Sequence, residues 1–322
     1  MKIIVTGGAG FIGSHLCQRL LTEGHEVLCI DNLLTGSLQN IEEFLDHPHF
    51  RFLQHDVTQP FQAEADAIFH LASPASPVGY MEHPIETILV NSQGTHRMLE
   101  MARQQQAKFL VSSTSEIYGD PLVHPQTESY WGNVNSIGPR ACYDESKRLG
   151  ETLTMEYFRQ YKTDVRIVRI FNTYGPKSQI NDGRMIPNFI TRALKNEALT
   201  IYGDGSKTRS ICYVSDLVDG LVRAMFTPQT TGEVFNLGNT EECTVLDYAR
   251  TILRLCSASP DIDTASRIVF EPSRVDDPER RRPNIDKARR ILGWQPRVSM
   301  EDGLRQSIAW FSQRIEQPSA TH

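Results

Sequence analysis

Tyr143 and Lys147 stand four residues apart in Tyr143-Asp144-Glu145-Ser146-Lys147. On a helix that spacing puts both side chains on one face. A lysine ammonium beside a phenol favours the phenolate, so the pair is expected to lower the tyrosine pKa. Such a tyrosine can take the proton of an alcohol while hydride leaves the same carbon. An ordinary solvent-facing helix pair has the same spacing, so the surroundings must decide between the two. Upstream, Ser112-Ser113-Thr114-Ser115-Glu116-Ile117-Tyr118-Gly119 closes a β-rich run. Its small hydroxyls, Ser115 among them, can hydrogen-bond a substrate hydroxyl or the tyrosine itself.

A hydride acceptor has its own signature near the start of the chain. Gly7-Gly8-Ala9-Gly10-Phe11-Ile12-Gly13 lies between an apolar strand pattern, Ile3 to Val5, and an amphipathic stretch, Phe11 to Glu23. Glycines there allow a tight turn and close backbone approach to a pyrophosphate, which rests on the helix N-terminus. Asp31 closes the next strand pattern, where a carboxylate accepts hydrogen bonds from ribose hydroxyls and repels a 2′-phosphate. The following Asn32-Leu33-Leu34-Thr35 is neutral, which favours NAD over NADP. Asp56-Val57 follows the third strand pattern at a position suited to an adenine edge, and Leu71-Ala72-Ser73 follows the fourth. Ligands of open α/β sheets bind along that strand-end edge. The candidate cofactor contacts are therefore Gly7, Gly10, Phe11, Ile12, Gly13, Asp31, Asn32, Thr35, Asp56, Val57, Leu71 and Ser73, together with Tyr143 and Lys147.

Short β-rich runs at Ile3 to Val5, Glu26 to Ile30, Phe50 to Gln54, Ala67 to Leu71, Phe109 to Ser112 and Val165 to Phe171 must position these groups. Helical patterns lie between some of them, at Ile85 to Gln104 and Tyr143 to Tyr161. Such alternation predicts βαβ units and a Rossmann-type, doubly wound parallel sheet. After about residue 175 the rhythm breaks into Pro- and Gly-rich loops, with two further helical patterns at Val245 to Leu255 and Ile285 to Leu292. The expected organisation is a nucleotide-binding domain over residues 1–175, carrying the Tyr/Lys pair. A smaller substrate lobe follows over 176–316, with some segments returning to the sheet.

Composition narrows the class. In 322 residues, 39% hydrophobic and 22% charged, a sizeable core is available. The net charge of -6 argues against a nucleic-acid binder. The six cysteines include no CxxC pair, so neither a zinc site nor a disulfide framework is expected. No apolar run reaches bilayer length and the N-terminal run is too short for a signal peptide, so the expectation is a soluble cytoplasmic protein without a metal.

With these motifs in place, the sequence resembles the extended short-chain dehydrogenase/reductase family that acts on nucleotide sugars. Arg169-Ile170-Phe171-Asn172-Thr173-Tyr174-Gly175-Pro176 adds to the resemblance, which covers nearly the whole chain. It is greatest to the UDP-glucuronate decarboxylase (UDP-xylose synthase) branch. The stretches that carry it are His70-Leu71-Ala72-Ser73-Pro74-Ala75-Ser76-Pro77 with Tyr80-Met81, Ser113 to Pro121 with His124-Pro125-Gln126, and Tyr130-Trp131-Gly132 with Gly138 to Glu145. The resemblance implies NAD as an internal hydride store: C4 oxidation, loss of carbon dioxide and re-reduction. It assigns Tyr143, Lys147, Ser115, Glu116 and Arg281 to catalysis, the last from Asp276-Asp277-Pro278-Glu279-Arg280-Arg281. Tyr80, Asn172, Asn188, Tyr202 and Arg209 are implied substrate contacts, with Arg274 a further candidate. It also implies a homodimer paired through the helix starting near Ile85 and the helix bearing Tyr143. One departure stands out: Glu86 occupies a position where many relatives carry lysine. The same scaffold serves 4-epimerases and 4,6-dehydratases; a dehydratase would carry Asp-Glu where Ser115-Glu116 stands. A non-catalytic NAD-binding regulator would need neither Tyr143 nor Lys147.

Overall fold

The computed structural model describes residues 1–180, 183–257, 263–272 and 281–316. The first half alternates β1 (Lys2–Thr6), α1 (Phe11–Thr22), β2 (Glu26–Asp31), β3 (Phe50–Gln54) and β4 (Ala67–His70) with α2 (Pro77–Glu82), α3 (Pro84–Leu89), α4 (Thr95–Gln105), β5 (Lys108–Thr114), α5 (Ala141–Tyr161) and β6 (Val165–Ile170). The second half holds β7 (Thr173–Tyr174), α6 (Met185–Leu194), β8 (Leu199–Tyr202), β9 (Thr208–Arg209), β10 (Cys212–Tyr213), α7 (Val214–Phe226), β11 (Glu233–Leu237), β12 (Cys243–Thr244), α8 (Val245–Cys256), β13 (Ile268–Glu271), α9 (Asp286–Leu292) and α10 (Met300–Glu316).

Seven strands form one parallel sheet in the order β11-β6-β5-β4-β1-β2-β3. This is the doubly wound Rossmann order, reversing direction between β1 and β4. Both faces are covered, so its central strands read as unbroken apolar runs rather than alternating ones. Ile3, Ile4 and Val5 are each at most 1% exposed. Leu16 and Leu20 of α1 pack with Leu221 and Met225 of α7 in one apolar layer. Met98 and Leu99 of α4 pack with Tyr157 of α5 in the other. Three small ladders lie outside this sheet: β7 with β10, β9 with β12, and β8 with β13.

Two departures from the sequence expectations bear on the site. The helix expected from Ile85 to Gln104 is broken by a π turn over Val90–Gly94. That turn lies on α5: Asn91 Nδ2 donates to Ser146 Oγ at 3.0 Å, and a Cβ on Gly150 would stand 3.2 Å from the Asn91 carbonyl. Beyond residue 175 there are five helices among the described residues where periodicity suggests two. One of them, α7, carries apolar residues at helical spacing, Val214, Leu217, Val218, Leu221 and Met225, a pattern the sequence reading did not pick out; a Cβ on its Gly220 would meet Leu237 at 2.6 Å and Trp294 at 3.0 Å.

Candidate active site

One cavity of about 860 Å³ runs along the C-terminal edge of the sheet and into the second half of the chain. Its floor begins at the glycine turn. Gly7 has φ +70°, open to glycine at little cost, and its carbonyl accepts the Gly10 N–H at 3.1 Å. A Cβ on Gly13 would stand 2.1 Å from the Gly7 carbonyl oxygen and 2.8 Å from Gly8 Cα, so only glycine fits. Helix α1 starts here with no side-chain cap. Its first amides face the cavity wall formed by Gly10, Phe11, Ile12 and Gly13, which suits a pyrophosphate. Asp31 at the tip of β2 accepts backbone N–H groups from Ala9 at 3.0 Å and Leu33 at 2.8 Å. Burial raises its pKa and these two hydrogen bonds oppose the shift. Asp56 is tied to Thr58 N at 2.8 Å and to Asn32 Nδ2 at 3.4 Å. The Thr35 carbonyl accepts from Gln179 Nε2 at 2.6 Å, and the Ser73 hydroxyl turns to the Pro74 carbonyl at 3.2 Å. Val57 and Leu71 complete this end.

At the other end α5 aims its first two turns at the cavity. Tyr143 and Lys147 share that face and are 6% exposed each. Lys147 Nζ donates to the Ser112 carbonyl at 2.9 Å and lies 5.7 Å from the Tyr143 ring centroid. Burial pushes Lys147 down to about 7, opposed by the charge of Glu151 one turn along. The expectation of a lowered tyrosine pKa does not hold in this geometry. Burial drives the Tyr143 phenol above its usual range, and a hydrogen bond with the Thr114 side chain opposes the rise. The physical reason is that the same burial that brings the pair together removes water from both. Tyr80 stacks on the Tyr143 ring, centroids 5.0 Å apart and planes 10° from parallel.

Arg140 is a group that sequence reasoning passed over, and Thr114 was read only as one of the strand-end hydroxyls. Thr114 sits inside the strand-end hydroxyl run, one residue before Ser115. Ser115 opens a short 3₁₀ turn, Ser115–Tyr118, and is buried at the cavity wall. Glu116 follows and bridges two guanidiniums: Arg140 Nη2 at 2.5 Å on one oxygen and Arg281 Nη1 on the other. Burial alone would raise the Glu116 pKa, but Arg281 and then Arg140 draw it below the ordinary value. Arg140 precedes the first residue of α5, so periodicity gave no reason to single it out.

Asn172, Asn188, Tyr202 and Arg209 all line the same cavity, as does Glu86 from α3. Thus 860 Å³ of space brings together the predicted nucleotide-loop, catalytic and substrate residues that fall among the described residues. Arg274 and the Asp276-Asp277-Pro278 stretch lie outside the described residues. Arg184, Arg192 and Lys207 also line the cavity, so its substrate end is rich in cations and suits a polyanionic ligand. No group of three or more potential metal ligands occurs among the described residues.

The protein family described as GDP-mannose 4,6 dehydratase matches residues 4–307. UDP-glucuronic acid decarboxylase 1 of Danio rerio is 50% identical over 315 residues, which cover 98% of this chain and 73% of that one. UDP-glucuronic acid decarboxylase 6 of Arabidopsis thaliana is 52% identical over 305 residues, covering 94% and 87%. Among solved structures, UDP-glucuronic acid 4-epimerase from Bacillus cereus in complex with UDP-glucuronic acid and NAD superposes with a TM-score of 0.85. It is 29% identical, covering 97% of this chain and 99% of that one.

Proposed function

The chain belongs to the family described as GDP-mannose 4,6 dehydratase, within the extended short-chain dehydrogenases/reductases, and on that footing we propose that it is an NAD-dependent UDP-glucuronate decarboxylase producing UDP-xylose. The observation that carries this reading is Glu116 held between Arg140 and Arg281 beside Tyr143 in a cation-rich cavity. NAD, when bound, accepts hydride from sugar C4 and returns it, and its cationic ring favours the Tyr143 phenolate. The uncapped α1 N-terminus and the glycine cradle fit its pyrophosphate, and Asp31 fits its ribose hydroxyls.

The chain's own groups do the rest. Tyr143, steadied by Thr114 and stacked under Tyr80, takes the C4 hydroxyl proton. Lys147 holds the strand end through the Ser112 carbonyl and adds positive charge when protonated. A C4 ketone is β to the C6 carboxylate, so the C5–C6 bond can break. Its electron pair passes into the ketone as an enolate, carbon dioxide leaves, and C5 takes a proton. Glu116 is ionised, so it orients its two arginines rather than donating that proton. Arg281 serves the decarboxylation step and Arg209 the diphosphate, with Asn172, Asn188 and Tyr202 around the nucleotide.

Incubation of the protein with NAD and UDP-glucuronate, followed by mass analysis, tests the reading. Loss of carbon dioxide with formation of UDP-xylose is expected. No change of mass would instead indicate a 4-epimerase, and loss of water a dehydratase.

The same reading includes a homodimer, formed through α3 and α5. Ile85 is 61% exposed and Leu149 is 44% exposed on these contacting helices, and covering them would remove apolar surface from water. Light scattering should give twice the chain mass. No helix among the described residues is long and apolar enough to cross a membrane. Functionally, residues 1–175 serve NAD and the Tyr/Lys pair, and 176–316 mainly the nucleotide sugar.

A further inference from the structure

We infer that Gln126 is a positioning residue for the decarboxylation step, because it sets the register that brings Arg281 to Glu116. This rests on the role proposed above for Arg281. Gln126 lies far from the nucleotide loop, on a strap between β5 and α5, and is 0% exposed. Its backbone N–H donates to the Arg282 carbonyl at 2.9 Å, and its carbonyl accepts the Asn284 N–H at 2.7 Å. These two bonds make a parallel bridge between Gln126 and Pro283. The side chain adds a third contact, with Oε1 accepting the Arg282 N–H at 3.0 Å. Nε2 donates back to the Val123 carbonyl at 2.7 Å, which fixes the amide's orientation. The bonds to Arg282 and Asn284 therefore hold the backbone immediately after Arg281.

This seat is itself braced from the sheet. Asn236 of β11 donates from Nδ2 to the Gln126 carbonyl at 3.1 Å and to the Asn284 carbonyl at 3.3 Å. Its Oδ1 accepts from Tyr118 OH at 2.8 Å, and the Tyr118 oxygen accepts from Arg169 of β6 at 2.9 Å. Tyr118 ends the same 3₁₀ turn that carries Glu116. One network thus ties the acceptor of the ion pair and the segment bearing its donor to common strands. Among the described residues, the Arg281 side chain donates to Glu116 and, at 3.4 Å, to the Gly119 carbonyl. A slip of one residue along the bridge would move the segment by about 3.3 Å and turn Arg281 to the opposite side.

Gln126→Met keeps most of the volume and removes both side-chain hydrogen bonds. Gln126→Glu keeps the acceptor for Arg282 and loses the donor to Val123. Each variant is studied as the full chain with NAD and UDP-glucuronate in single turnover. Carbon dioxide release is compared with formation of the 4-keto uronate, read by mass. A displacement near 1 Å of a group serving the reaction can cost about 10²-fold in rate. Gln126→Met is therefore expected to slow carbon dioxide release by about that factor. The 4-keto uronate should form at close to the native rate and accumulate, with KM for UDP-glucuronate unchanged. Gln126→Glu should fall between native and Gln126→Met in the ratio of the two rates, and it decides the matter if Gln126→Met does not fold. Faster deuterium exchange at the Arg282 and Asn284 amides should accompany the change. A folded variant that keeps the native ratio, or loses both steps together, overturns the role of Gln126. A native protein that releases no carbon dioxide overturns instead the reading on which the inference rests.

Discussion

Replacing Glu116 by glutamine removes one negative charge from between two positive ones without changing the shape of the site. In the native protein the cluster carries a net charge of +1: Arg281, whose side chain is 7% exposed, Arg140 at 30%, and Glu116 at 16%. In the variant it carries +2. In general, two like unit charges about 6 Å apart repel by about 3 kcal/mol at an effective dielectric of about 20. Removing one partner of a buried ion pair costs about 3–5 kcal/mol. The glutamine carbonyl still accepts one hydrogen bond and Arg140 has some access to water, so the expected loss of stability is at the lower end, about 3 kcal/mol. Denaturant titration at pH 7 measures it. The acid limb provides a second reading. The folded pKa of Glu116 lies below its unfolded value near 4.5, so the folded state binds fewer protons in that window. Its contribution is present above 4.5 and is lost as pH falls through the lower folded value. Native protein should lose stability over that interval, and the variant should lose correspondingly less. A variant within about 1 kcal/mol of native at pH 7, with the same acid limb, would refute the placement of Glu116 as the counter-ion of both arginines.

Lys147 titrates in the same sense, but in a window at higher pH. Burial lowers its folded pKa to about 7 from 10.5, so between these values the unfolded chain binds more protons and stability rises with pH, by at most about 1.4 kcal/mol per unit. Lys147→Met should flatten that slope in denaturant midpoints taken at pH 7 and 10; an unaltered slope counts against a buried amine. Gly13→Ala places a Cβ 2.1 Å from a backbone oxygen, so calorimetry should show NAD binding weakened by at least about tenfold and unfolding at lower temperature. Unchanged NAD affinity would mean that the glycine turn is not the pyrophosphate seat. Asp31→Ala should narrow a native preference for NAD over NADP, measured by titration of both cofactors. Equal native affinity for the two would remove the basis for assigning Asp31 to the ribose. Tyr143→Phe should slow C4 oxidation and carbon dioxide release together, by about 10² to 10⁴, since both depend on the first proton transfer.

Much of the site is local in the chain and so was legible in the sequence. The glycine turn, Asp31 and the Tyr143/Lys147 pair each depend on a few consecutive residues whose backbone geometry follows from residue type and spacing. The buried strands are likewise visible, because a parallel sheet covered on both faces leaves unbroken apolar runs. What depends on distant contacts was not legible. The π turn after Leu89 lies where Asn91 meets Ser146 across 55 residues, and nothing in Val90–Gly94 announces it. That α7 carries glycine at 220 is likewise a tertiary requirement, since a Cβ there would meet Leu237 and Trp294. Charge state also escaped local reading: spacing brings Lys147 to Tyr143, but burial, which only the assembled fold supplies, raises one pKa and lowers the other. The pairing of Arg281 with Glu116 spans 165 residues. Sequence can nominate the two ends of such a pair; the strap at Gln126 and the sheet beneath it decide that they meet, because register over that distance is set by hydrogen bonds, backbone and side-chain, between segments far apart in the chain.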